Sequence, residues 1–263
     1  MDIAARHNLI VIEDCARAHG TEWKGKKTGS IGHFGGYSFW TSKLMTAGEG
    51  GFLTVNDDSL FHRAWSVANQ GRQIGGEFYE HSVLGCNERM SQFTAAILLG
   101  QLERLPGQIA TRETNMQYLE SLLAGVPGLR PAKREPRETT LTYFFATLHY
   151  DPAAFGGLSI DMFQRAMTAE GIPMRQGPNS PLSRNPIFAA DALRANGVGH
   201  LYEARGGMID YHALRFPVVE NSLTVQMQHR TLLGPREQME AVAEAAQKIR
   251  DNVGELLELA AKE

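Results

Sequence analysis

Between Leu9 and Cys15 the chain reads "LIVIEDC", a continuous apolar run that ends in two acids. Such a run has no polar face, so it suits a parallel strand buried on both sides. Acids at its carboxyl end fall where open α/β sheets place ligand-binding side chains. The rest of the chain agrees with that class. Short apolar runs alternate with helical periodicity, as in α/β proteins.

Two further short strands, "GGYSFW" and "GFLTVN", flank a lysine. "DDSLFHRAWSVANQ" opens on cap-friendly aspartates and continues with helical spacing. A polar, glycine-bearing loop follows, "GRQIGGEFYEHSVLG". The longest helical signal is "NERMSQFTAAILLGQLERL", which Pro106 is expected to break or kink before "GQIATRETNMQYLESLLAG" continues it. The proline- and charge-rich stretch "VPGLRPAKREPRETT" reads as a linker or exposed loop. Beyond it, "LTYFFATLHY" reads as a strand, "SIDMFQRAMTAEG" as a helix closed by glycine, and "GPNSPLSRNP" as a loop. The last thirty or so residues, from "GPREQ" onward, read as one amphipathic helix.

Composition narrows the function classes. With 263 residues, 43% of them hydrophobic, the chain holds enough apolar matter for a core and two lobes. A net charge of −3 points away from nucleic acid. Cys15 and Cys86 are too few for a disulfide framework and read as reduced thiols of a cytoplasmic protein. No apolar run is long enough to span a bilayer, and the first residues lack the pattern of a signal peptide. No membrane partner is expected.

The chemistry concentrates in "SFWTSKLMTAGEGG", Ser38 to Gly51. A nucleophilic lysine must spend part of its time unprotonated, which needs desolvation or a neighbouring cation. Lys43 lies among apolar and aromatic residues, just before a glycine turn where backbone can approach a ligand closely. Asp14 ends a strand. A lysine Schiff base and an aspartate for the pyridine nitrogen are the minimal protein contribution to pyridoxal phosphate chemistry. Ser38 is placed to offer its hydroxyl to the phosphate. By themselves these residues also fit a solvated loop lysine and an ordinary strand-end aspartate.

The joint pattern, "EDCA" then "SFWTSK" then "GEGG", resembles the core signature of the DegT/DnrJ/StrS family of pyridoxal-phosphate aminotransferases. The resemblance extends through "GCNERMSQFTAAILLGQLERL" and, more weakly, to the C-terminal helix. It implies an α/β chain made of the C-terminal part of a fold type I large domain, residues 1–110, followed by a smaller C-terminal α/β domain, residues 111–263. It implies a cofactor, pyridoxal 5'-phosphate, and amino transfer from glutamate or glutamine to a keto-sugar or cyclitol. By the same resemblance, Lys43 is the Schiff-base lysine that also shuttles the substrate proton, Asp14 partners the pyridine nitrogen, and Ser38 binds phosphate. Asn87 would reach the phosphate across a homodimer interface; its other reading is a helix N-cap. Arg17 stands where the family often has glutamine or histidine on the phenolic oxygen, which adds bulk and fixed charge there. His229 and Arg230 match a region that approaches the family's active site. His19, Glu49 and Cys15 read first as structural, with Glu49 holding its own turn, while Arg89 reads equally as a surface or interface arginine and as a contact for a substrate carboxylate or phosphate.

Members of the family begin well upstream of anything equivalent to Met1, so the chain is expected to be the C-terminal portion of such a protein and, alone, a poor enzyme. Two alternatives accompany the leading one. "SKLMTAGEGG" also resembles the branch that makes 3-amino-5-hydroxybenzoate, where the same lysine supports dehydration and aromatisation. The third reading is a non-catalytic partner of a full-length relative.

Overall fold

A computed structural model describes residues 1–178 and 180–262. Asn179, inside the expected loop "GPNSPLSRNP", and Glu263, at the end of the expected terminal helix, lie outside the described residues. In chain order the elements begin α1 (Asp2–Arg6), β1 (Ile12–Asp14), β2 (Glu22–Trp23), β3 (Lys26–Lys27), β4 (Phe34–Ser38), β5 (Gly51–Val55), α2 (Asp58–Ala68) and α3 (Gln92–Leu123). They continue β6 (Leu129–Pro131), β7 (Glu138–Thr140), β8 (Phe145–Tyr150), α4 (Ile160–Ala169), β9 (Arg175–Gln176), α5 (Ala190–Ala195), α6 (Gly199–Glu203), α7 (Pro217–Glu220), β10 (Thr224–Gln228), α8 (Arg236–Asp251) and α9 (Val253–Ala260). The architecture is α/β, as the alternating pattern implies. No helix among the described residues is long and apolar enough to cross a membrane.

The chain divides into two compact units. The first comprises Met1–Tyr118, Lys133–Phe145 and Gln228–Pro235. Its main sheet has the order β1-β4-β5, with β1 parallel to β4 and β4 antiparallel to β5. Asp14 pairs with Gly36, and Ser38 with Gly51. β1 and β4 therefore run side by side in one direction, and their carboxyl ends open on the same edge. β1 is parallel, as the run "LIVIEDC" predicts, but it is not buried. Among the described residues it pairs with a strand on one side only, and Ile12 is 68% exposed.

Period-two alternation sends Glu13 and Asp14 to opposite faces of β1. Glu13 turns toward the loop before β4. Its carboxylate accepts the backbone N–H groups of Gly29, Ile31 and Gly32 at 2.8, 2.8 and 2.6 Å. The loop packs so closely on β4 that a Cβ at Gly35 would sit 2.3 Å from the Gly29 Cα. Only glycine fits there.

Asp57 caps α2, accepting the Leu60 N–H at 2.9 Å. α3 runs unbroken for 32 residues with Pro106 inside it. The expected break does not occur. A proline removes one backbone hydrogen bond, and apolar side chains on both sides of it, Leu98, Leu105 and Ile109, pack with Phe39 and Met45 in the core of this unit. The expected linker "VPGLRPAKREPRETT" is also ordered. It contains β6 and β7, and β7 joins a small sheet of order β3-β2-β7.

The second unit comprises Leu119–Ala132, Ala146–Met227 and Arg236–Glu263. Its sheet has the order β6-β8-β10-β9. Alternate residues of β8, Ala146, Leu148 and Tyr150, are buried. Met162, Phe163 and Met167 of α4 and Met239, Val242 and Ile249 of α8 are buried too. The expected single terminal helix is two, α8 and α9, which meet at Asn252.

Candidate active site

The site is built where β1 and β4 end. Asp14, the last residue of β1, is exposed on the face it shares with Ile12. Its Oδ1 accepts the Ala16 N–H at 3.0 Å, which closes the turn after the strand. Its other oxygen has no hydrogen-bond partner among the described residues. Ser38, the last residue of β4, is half-buried, and its hydroxyl accepts the Trp40 N–H at a long 3.4 Å.

The chain then bends through residues 41–45, with the Lys43 N–H donating to the Trp40 carbonyl at 2.9 Å. Lys43 is half-buried, and its amine forms no ion pair among the described residues. It lies 5.5 Å from the centre of the Phe144 ring. Arg17 stacks on the same ring at 5.0 Å and on Phe145 at 5.5 Å. Phe144 thus brings Arg17 and Lys43 together. The Arg17 guanidinium forms no hydrogen bond among the described residues, so its N–H groups are left for another acceptor. The bulk of Arg17 is accommodated by stacking.

Asn87 is placed elsewhere. It bridges to Asn69, and its Oδ1 accepts the Arg89 N–H at 3.4 Å. Arg89 in turn donates to Asn69 Oδ1 at 2.8 Å. Among the described residues Asn87 forms no hydrogen bond with the other four candidates. It is not the cap of α3 either, because Ser91 Oγ accepts the Thr94 N–H at 3.1 Å. Glu49 is exposed and does not hold its turn. Thr46 does so, with its hydroxyl donating to the Phe39 carbonyl at 2.9 Å and accepting the Gly48 N–H at 3.1 Å, and Gln101 grips the Thr46 backbone from α3.

His19 is 3% exposed, and its ring lies 5.5 Å from that of Tyr37 and 5.7 Å from that of Phe39. Neither ring nitrogen has a hydrogen-bond partner. Burial holds the imidazole down to about 4; the nearby Ser38 backbone tempers the effect without hydrogen-bond geometry, and the Lys43 charge adds to it. His19 is therefore neutral beside Lys43 at neutral pH. Since its folded pKa lies below the ordinary 6.5, the unfolded chain takes the proton first. The contribution is fully present above pH 6.5 and is lost as pH falls toward 4. Over that window the loss should be on the order of 3 kcal/mol, at about 1.4 kcal/mol per unit. Urea unfolding across the window checks this against His19→Gln, whose stability should fall less steeply; parallel slopes would sink the assignment.

The residues that sequence reasoning passed over are Phe144 and Arg112. Phe144 lay within a predicted strand, and only the folded chain sets its ring against Arg17, Lys43 and His229. The His229 ring stacks on it at 5.9 Å and 28°. Burial lowers the His229 pKa, and the charge of Arg112 lowers it further.

A profile of the DegT/DnrJ/EryC1/StrS aminotransferase family matches residues 1–201. A putative L-glutamine:3-amino-2,3-dideoxy-scyllo-inosose aminotransferase of Streptoalloteichus tenebrarius is 36% identical, with 97% of this chain and 62% of that protein covered. Among solved structures, 3-amino-5-hydroxybenzoic acid synthase is 28% identical with a TM-score of 0.71, covering 97% of this chain and 63% of the other. An aminotransferase from Psychrobacter cryohalolentis is 26% identical with a TM-score of 0.74, covering 97% and 65%. The chain spans less than two thirds of the length of each of these relatives. Over that span its fold is that of the fold type I pyridoxal-phosphate aminotransferases. From its profile and its architecture, the chain belongs to the DegT/DnrJ/EryC1/StrS aminotransferase family.

Proposed function

We propose that this chain supplies the lysine side of a pyridoxal phosphate site, and that the protein transfers an amino group from glutamine or glutamate to a keto-cyclitol or keto-sugar. The observation that carries the reading is the gathering of Asp14, Ser38 and Lys43 at the adjacent ends of β1 and β4, with Arg17 and Lys43 on one ring. The donor set fits the cofactor: an amine without an ion pair, a carboxylate with a spare oxygen, and a hydroxyl held by one long hydrogen bond. When bound, pyridoxal phosphate supplies an electron sink for the carbanion left by proton removal.

The chain's own residues do the rest. Lys43 would hold the cofactor through its amine and, when that amine is free, would move a proton to and from the substrate carbon. Asp14 would keep the pyridine nitrogen protonated through its spare oxygen. Ser38 would donate to the phosphate. Arg17 would donate to the phenolic oxygen. Names of relatives support glutamine as donor and a cyclitol as acceptor.

The test is reduction with borohydride after loading with pyridoxal phosphate, followed by peptide mapping. Label is expected on Lys43. Label on Lys24, Lys26 or Lys27 instead would overturn the assignment. The likeness to 3-amino-5-hydroxybenzoic acid synthase favours a second reading, in which the same lysine serves a dehydration. Amino transfer consumes glutamine and dehydration does not, so donor consumption separates them.

The reading includes a homodimer and a cytoplasmic location. Phe93, Ile97, Leu99 and Leu102 leave the first half of α3 apolar and exposed, and Asn87 is free to serve a neighbouring copy. Full activity from a sedimenting monomer would contradict the dimer. Both cysteines are free, Cys86 on the surface, which suits a reducing compartment.

A further inference from the structure

Beside Lys43 lies a cavity of about 450 Å³ within the first unit. Its lining includes Lys43, Gln101, Arg104, Arg112, His229 and Arg230. Four of these side chains are cationic, and no carboxylate lines the cavity.

Arg112, on α3, is only 1% exposed. Its Nε and Nη1 have no hydrogen-bond partner. Its Nη2 lies 3.5 Å from Gln108 Oε1 and 3.5 Å from His229 Nδ1, at the limit of a hydrogen bond. Burial pushes the guanidinium down to about 10, so it keeps its charge at neutral pH. A buried charge with unanswered N–H groups is costly, and native proteins rarely leave one without an acceptor. An acceptor that comes with a ligand answers the deficit. A carboxylate fits, because its oxygens accept charge-assisted hydrogen bonds from guanidinium N–H groups. The exposed Arg104 and Arg230 favour entry of an anion. Burial, and then the charge of Arg112, lower the pKa of the adjoining His229.

We propose that this cavity is a carboxylate-binding site, with Arg112 as its buried anchor and Arg230 as its outer cation. Resting on the amino-transfer reading for the identity of the ligand, it receives a carboxylate of the amino donor.

The test is calorimetric titration of the chain with glutarate, a dicarboxylate without an amine, and in parallel with inorganic phosphate. Glutarate should bind saturably and more tightly than phosphate. Arg230→Gln, on the surface, should weaken glutarate binding tenfold or more, and Arg112→Gln at least as much. If Arg112→Gln does not fold, Arg230→Gln alone decides. Absence of saturable glutarate binding, tighter binding of phosphate, or unchanged affinity in Arg230→Gln would overturn the proposal. Glutarate binding without any consumption of glutamine would leave the site standing and remove the amino-transfer reading. Amino transfer by a protein that ignores glutarate would do the reverse.

Discussion

Replacing Lys43 with alanine is expected, under the proposed function, to lower amino transfer from glutamine by at least about a thousandfold, in the upper part of the range for losing a positioned proton carrier. The amine has no ion pair among the described residues and lies over the Phe144 ring. Lys43→Arg should fail nearly as badly. Arginine keeps the charge and the ring contact but stays protonated, so it can neither attach to a carbonyl nor accept a proton. Both variants should fold as the parent does, since they remove no buried hydrogen bond. Single-turnover measurements with glutamine check the expectation, and activity within about tenfold of the parent in either variant would take Lys43 out of the chemistry.

Glu13→Ala should be among the most destabilising single changes in the first unit. Three backbone N–H groups, those of Gly29, Ile31 and Gly32, lose their acceptor together. Hydrogen bonds to a charged group contribute roughly 1.5–3 kcal/mol each, and some are replaced by water, so a loss of about 3–6 kcal/mol is expected. Glu13→Gln keeps one acceptor oxygen and should cost less. Denaturant midpoints decide, and a loss below about 1 kcal/mol would show that the loop holds itself. Glu13 also bears on the site, because its neighbour Asp14 leaves the same short strand on the opposite face. A variant that frees the loop should therefore also loosen Asp14.

Legibility followed the range of the forces involved. Asp57 and Ser159 cap helices through bonds to residues three positions on, and such local chemistry is visible in a string of letters. The strand ends that carry Asp14 and Ser38 were readable for the same reason, since apolar runs and glycine turns are local. Pro106 misled because one lost hydrogen bond is outweighed by apolar side chains packed on both sides of it. The segment containing β7 looked like a linker because its polar composition hides a pairing with β2 more than a hundred residues earlier in the chain. β1 promised burial by its side chains, but a strand is buried only when something covers it. Arg112 gave no signal at all: an arginine within a helix is ordinary until the fold leaves its N–H groups unanswered.

The Phe144 ring has a consequence for how variants of this site combine. Arg17, Lys43 and His229 all lean on it, and His229 in turn meets Arg112. Side chains in mutual contact do not contribute independently, so the value of each depends on which of the others is present. Arg17 and His229 are far apart in the sequence, yet a change at one alters the background in which the other acts. Single substitutions here measure a shared quantity, and only paired ones can apportion it.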